Sequence, residues 1–139
     1  MRKLILMFLK GDSITIKNYK KVSVQVERTK ENLCTNCYIA DSFLKRFKGL
    51  MLAKPIDNNE ALLITKTNSI HMFFMKYELD IVFLDKNNVI IDIIISMKKR
   101  RISKIYKKCK SVVELKSRKL VGFDLKVGDK LIFIEKTNE

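Results

Sequence analysis

SIHMFFMKYELDIVFLD, residues Ser69 to Asp85, is the stretch that sets the fold class. Ser69–Met75 and Leu79–Leu84 are β-favouring and almost continuously apolar, the pattern of strands covered on both faces. Asp85-Lys86-Asn87-Asn88 follows, and Asp and Asn accept turn geometry and left-handed backbone. Val89–Met97 then reads as the returning strand of a hairpin with residues 79–85.

Working outward, short strands recur. Val22, Val24 and Val26 alternate with Ser23 and Gln25, a half-buried pattern. Tyr38–Ala40, Ala61–Thr65, Ser111–Leu115 and Leu131–Ile134 are further short apolar runs, the last entered through the turn Val127-Gly128-Asp129. Leu4–Leu9 and Ile14–Ile16 flank Lys10-Gly11-Asp12-Ser13 and read as another hairpin. One helix is expected near residues 41–49: Asp41 can cap its start, Phe43, Phe47 and Leu50 share a face, and Gly49 ends it. The expectation is a mainly β chain, an antiparallel β-sandwich or barrel with one short helix.

The 139 residues, 47% of them hydrophobic, suit a single domain over residues 1–139 with one core. Arg2-Lys3 and Leu4–Leu9 imitate a leader, but the apolar run is short and no small-residue cleavage site follows. Val89–Ile95 is far too short to span a bilayer. An odd, sparse set of cysteines (Cys34, Cys37 and Cys109) does not form a secreted disulfide framework. Together these features predict a cytoplasmic protein without a transmembrane segment.

The net charge is +14, and its distribution matters more than its size. Residues 31–97 carry 7 basic and 8 acidic residues. Residues 98–110 carry 8 basic residues and no acid: Lys98, Lys99, Arg100, Arg101, Lys104, Lys107, Lys108 and Lys110. Such a run can engage nucleic acid or an anionic surface, with Tyr106 as a stacking ring, or it can be a solvated loop in a lysine-rich chain.

ADSFLKRFKGLM (Ala40–Met51), ALLI (Ala61–Ile64), the Ser69–Asp85 stretch, VVEL (Val112–Leu115) and VGDKL (Val127–Leu131) occur in this order. This series resembles the domain of unknown function 192 family across about residues 38–134, with residues 1–30 less clearly matched. The resemblance implies a compact, mostly β domain and no established reaction. The chain departs from the family pattern at Met72, at Met97–Arg101 and at Lys116–Lys119.

The candidate chemistry is sparse. His71 is the only histidine; it can be a general base or a structural histidine at a strand edge. Asp80 interrupts an apolar run, so a buried carboxylate there needs a partner, for which Arg46 on the helix is the candidate. Arg46, His71, Asp80 and Met75 are therefore proposed to line one small-molecule site, with Arg46 holding an anionic group. Met51, Met72, Phe73, Phe74 and Met75 read first as core. Cys34-x-x-Cys37 can be a metal half-site, a redox pair or packing; on a regular strand a spacing of three puts the thiols on opposite faces. No catalytic dyad or triad can be placed, and no cofactor or metal site is expected. The reading is a non-enzymatic ligand-binding or accessory domain, with a basic interaction module at residues 98–110 as the alternative.

Overall fold

The computed structural model describes residues 19–49 and 55–136. The expected hairpin at Leu4–Ile16 and the position of Met51 lie outside them. Seven strands are described: β1 Lys20–Val26, β2 Asn32–Ala40, β3 Glu60–Thr65, β4 Leu79–Leu84, β5 Ile90–Met97, β6 Ser111–Lys116 and β7 Leu131–Glu135. One helix, α1, spans Phe43–Lys48. The strands form one sheet in the order β5-β4-β6-β3-β2-β1-β7. The sheet curls into a half-barrel. Its edges meet where the starts of β5 and β7 approach: Val89 bridges Lys130, and Ile90 N–H donates to the Asp129 carbonyl at 2.8 Å. No helix among the described residues is long and apolar enough to cross a membrane.

The mainly β expectation holds, but the sheet is mixed. β2 and β3 run parallel, because α1 and the residues after it form a crossover between them. The Leu79–Leu84/Ile90–Met97 hairpin forms as expected. Ser69–Met75 does not form a strand of the sheet. Its β-bridge is the isolated one between His71 and Ile102, in residues 98–110, and Phe74 sits at φ 63°. Its apolar residues cover the sheet instead of joining it.

All six residues of β4 are buried, and alternation assigns them to two cores. Leu79, Ile81 and Phe83 pack on the outer face with Leu62, Ile64, Met72, Met75 and Val112. Val82 and Leu84 pack on the inner face with Val24, Leu33, Leu63, Val113 and Leu115. Two arms, residues 66–78 and 98–110, cover the outer face. They are joined by main-chain bonds, including Met72 N–H to the Arg101 carbonyl at 2.8 Å and Ser103 N–H to the Ile70 carbonyl at 2.8 Å. The inner face receives Leu120, Phe123 and Leu125 from the segment between β6 and β7, which acts as a plug.

Asp80 points into the inner face and is fully buried. Its Oδ1 accepts from Ser96 N–H at 2.8 Å and Arg118 N–H at 2.9 Å, and its Oδ2 from Leu120 N–H at 2.9 Å. These backbone amides replace the expected Arg46 partner. Ser96 lies at φ 49° in a β-bulge of β5, opposite the register shift between Leu79 and Ile81. Desolvating a carboxylate costs several kcal/mol, and three charge-assisted bonds of about 1.5–3 kcal/mol each offset it.

At the barrel's closing end, Arg28 forks onto Asp129, Nε to Oδ1 at 2.8 Å and Nη2 to Oδ2 at 2.9 Å, and also reaches Asp124. The hydrogen bonds from Arg28 hold the Asp129 carboxyl below its ordinary value.

Two outcomes follow for stability. Asp80→Ala removes the acceptor for three buried amides and should lower unfolding stability by about 3 kcal/mol or more in urea titration. Because the folded-state pKa of Asp129 is depressed, its contribution is complete above the unfolded value of about 3.9 and is lost as pH falls through the folded value. Asp129→Asn should therefore be less stable than wild type at neutral pH and show a shallower acid limb in stability measured against pH.

Candidate functional site

A cleft of about 450 Å³ opens on the outer face, between α1, β3, β6 and the arm 66–78. Helix α1 builds one wall. Ser42 caps it by accepting from Lys45 N–H at 3.3 Å, so the cap is one residue later than the expected Asp41. Phe43 and Phe47, one turn apart and stacked at 6.4 Å, and Arg46 face the cleft. Phe43 is exposed rather than core. Arg46 is half-buried, and its Nη1 donates to the Asp41 carbonyl at 2.9 Å, which steadies the guanidinium.

The helix ends at Gly49, whose N–H donates to the Lys45 carbonyl at 3.0 Å. Its backbone, φ 50° and ψ −131°, is one that only glycine adopts without strain. A Cβ here would stand 3.5 Å from Glu114 Oε1 and 3.7 Å from Ile64 Cδ1. These are ordinary contact distances, so it is the positive φ that calls for glycine here. Glu114 is 4% exposed. Burial, then the charges of Glu114 and Glu60, push the nearby Tyr77 phenol up to about 12.

The opposite wall carries Lys66, Ile70, His71 and Met75. Lys66 and His71 are exposed, and Ile70 and Met75 are buried. The His71 ring lies 5.6 Å from that of Phe73, and desolvation of the ring lowers its pKa from the usual value. Desolvation thus favours the neutral ring.

Three of the four expected site residues, Arg46, His71 and Met75, meet in this cleft. Asp80 does not, and strand parity explains why. Ile81 pairs with Glu114 and Asp80 with Leu115, so the two carboxylates of this double strand face opposite sides of the sheet. Glu114 carries the same sequence signal as Asp80, a lone carboxylate in an apolar strand. Lys66 carried no signal beyond its charge.

The other candidates are placed as follows. Met72 and Met75 are core, whereas Phe73 and Phe74 are exposed. A register shift puts Cys37 opposite Val22 and Cys34 opposite Val24, so a bulge turns both thiols into the inner core, not onto opposite faces. Their mutual hydrogen bond lowers the Cys34 pKa and raises that of Cys37. Both thiols are free and buried, and among the described residues no group of three His, Cys, Asp or Glu side chains could hold a metal. All eight cations of residues 98–110 are exposed. Tyr106 is unavailable for stacking on a base: its ring stacks on Phe83 at 4.2 Å and its hydroxyl donates to Asp92.

Residues 24–133 match the family model of DUF192, described as Uncharacterized ACR. The chain belongs to the DUF192 family. Among curated relatives, UPF0127 protein PYRAB11210 of Pyrococcus abyssi is 36% identical over 104 residues, covering 69% of this chain and 84% of that one. UPF0127 protein TK1120 of Thermococcus kodakarensis is 43% identical over 58 residues, 39% of this chain and 37% of that one. The chain therefore spans well under half the length of that Thermococcus relative. Two crystal structures share the fold, each at a TM-score of 0.72. One is a protein of unknown function from Novosphingobium aromaticivorans, at 18% identity over 80% of this chain and 84% of that one. The other, from Sinorhizobium meliloti, is described as a candidate transcription regulator, at 19% identity over 83% and 95%. In this DUF192 chain, four of the motifs that carry the resemblance meet at the cleft: Arg46 and Gly49 from the first, Ile64 from the second, Ile70, His71 and Met75 from the third, Glu114 from the fourth.

Gly49→Ala should lower stability by about 1–3 kcal/mol, from the strain of its positive φ. The loss is read as a lowered midpoint in urea titration.

Proposed function

We propose that this chain is a ligand-binding or accessory domain whose outer-face cleft takes a small zwitterion. The observation that carries the proposal is the convergence of two cations and one buried carboxylate on a single apolar-walled cleft. Arg46 and Lys66 lie toward solvent and suit a carboxylate or phosphate end. Glu114 lies deeper and suits an ammonium or hydroxyl end. Ile64, Ile70, Phe47 and Met75 supply the apolar wall. The volume falls within the range of small-molecule sites. Among the described residues that line the cleft no nucleophile is held by a base, so binding rather than turnover is the reading. The three free, buried thiols support a reducing, cytoplasmic setting.

A second reading concerns residues 98–110, where eight exposed cations without an acid form a surface for a polyanion.

The cleft is tested by thermal denaturation of the full chain against a panel of amino acids, amino sugars and plain carboxylic acids. A zwitterion at about 100 times its Kd should stabilise the protein by about 2.7 kcal/mol. Arg46→Ala should abolish the shift, and Glu114→Gln should abolish it for zwitterions more than for plain acids. Affinity for the anionic end should rise as pH falls through the lowered His71 pKa and the ring gains its proton, a rise that His71→Gln removes. An Arg46→Ala protein that retains the full shift overturns the proposal.

A further inference from the structure

We infer that residues 98–110, together with Phe73 and Phe74, form a docking surface for an anionic lipid bilayer. This rests on reading the basic arm as a polyanion surface and names its partner.

The arm is a built platform and not a slack loop. Its backbone is zipped to residues 67–75: Arg100 N–H donates to the Met72 carbonyl at 3.0 Å, Ser103 N–H to that of Ile70 at 2.8 Å, and Tyr106 N–H to that of Asn68 at 2.9 Å. Two inward anchors hold it down. Tyr106 stacks on Phe83, and Cys109 is buried in the outer-face core. With those two side chains turned in, the charges are turned out.

Four large apolar side chains are turned out with them. Ile102 is 63% exposed, Ile105 69%, Phe74 50% and Phe73 40%. Ile102 and Ile105 sit within the cationic run itself, flanked by Arg101, Lys104 and Lys107. Ordinary surfaces scatter single apolar residues; a cluster set among cations calls for a partner that is both anionic and apolar. A bilayer with acidic headgroups is such a partner. Its surface charge attracts the lysines and arginines, while the isoleucines and phenylalanines enter the boundary between headgroups and acyl chains.

Nucleic acid meets only half of this requirement. Its phosphates satisfy the cations and its bases can stack on Phe73 and Phe74, but the run's own ring is engaged with Phe83, and the exposed aliphatic area of Ile102 and Ile105 finds no counterpart on it. Exposed β-branched aliphatic chains gain little against a phosphate backbone. The isoleucines therefore favour the bilayer.

The test is co-sedimentation of the full chain with vesicles of phosphatidylcholine alone and with added phosphatidylserine, beside retention on duplex DNA and single-stranded RNA. The expected result is partition onto the anionic vesicles only, weakened by salt. Arg100→Gln with Arg101→Gln should reduce that partition about tenfold or more. Ile102→Ser with Ile105→Ser should also reduce it, although every charge remains. All four residues are exposed, so circular dichroism and the melting temperature should be unchanged in both double variants. Equal binding to neutral vesicles, or anionic binding indifferent to the isoleucine substitutions, overturns the lipid assignment. So does retention on nucleic acid without vesicle binding, which leaves the polyanion reading standing. Binding to neither vesicles nor nucleic acid overturns both.

Discussion

One buried carboxylate organises this fold. Asp80 stands in the most buried strand of the sheet and accepts only from main-chain amides. One of those amides belongs to the bulge that bends β5, and two belong to the plug that fills the half-barrel. The strand's position, the bend of its neighbour and the seating of the plug are therefore set by a single side chain. An open curled sheet has no inner wall of its own to pack against, so the plug's position decides whether the inner core closes. The Arg28–Asp129 fork performs the matching task at the seam, where β7 approaches the start of β5.

Much of the β framework was legible in the sequence, for a local reason. Leu79–Leu84 is apolar at every position but Asp80, and Asp85–Asn88 is a turn by its chemistry. Neither depends on distant residues. Ser69–Met75 has the same composition as a buried strand but lies across the sheet as a cover. Composition reports burial, not hydrogen-bond partners, and the partners here come from Arg100 to Tyr106, some thirty residues later. The parallel β2–β3 pair was equally invisible, because it depends on the path of the crossover and not on either strand.

The site was half legible. Arg46, His71 and Met75 were found through their residue types and surroundings, and they share a cleft. Asp80 was assigned to it wrongly and Glu114 overlooked. The error is one of parity: which face a residue takes follows from register, and register follows from pairings that the sequence does not print. The cysteines teach the same lesson. A spacing of three predicts opposite faces only for an unbroken strand, and the bulge in β2 cancels that rule. Gly49 is the counter-case, a residue whose position at a helix end was readable and which, at positive φ, lines the cleft.

The arms that cover the outer face are fastened by main-chain hydrogen bonds, with few side-chain ties. Main-chain fastening is indifferent to residue identity. The outward side chains of residues 66–78 and 98–110 can therefore be exchanged while the sheet, the bulge and the plug keep their own separate hold. For an engineer, this makes the half-barrel a chassis: a randomised library confined to the two arms would vary the cleft wall and the basic surface together. The inner core would tolerate no such freedom.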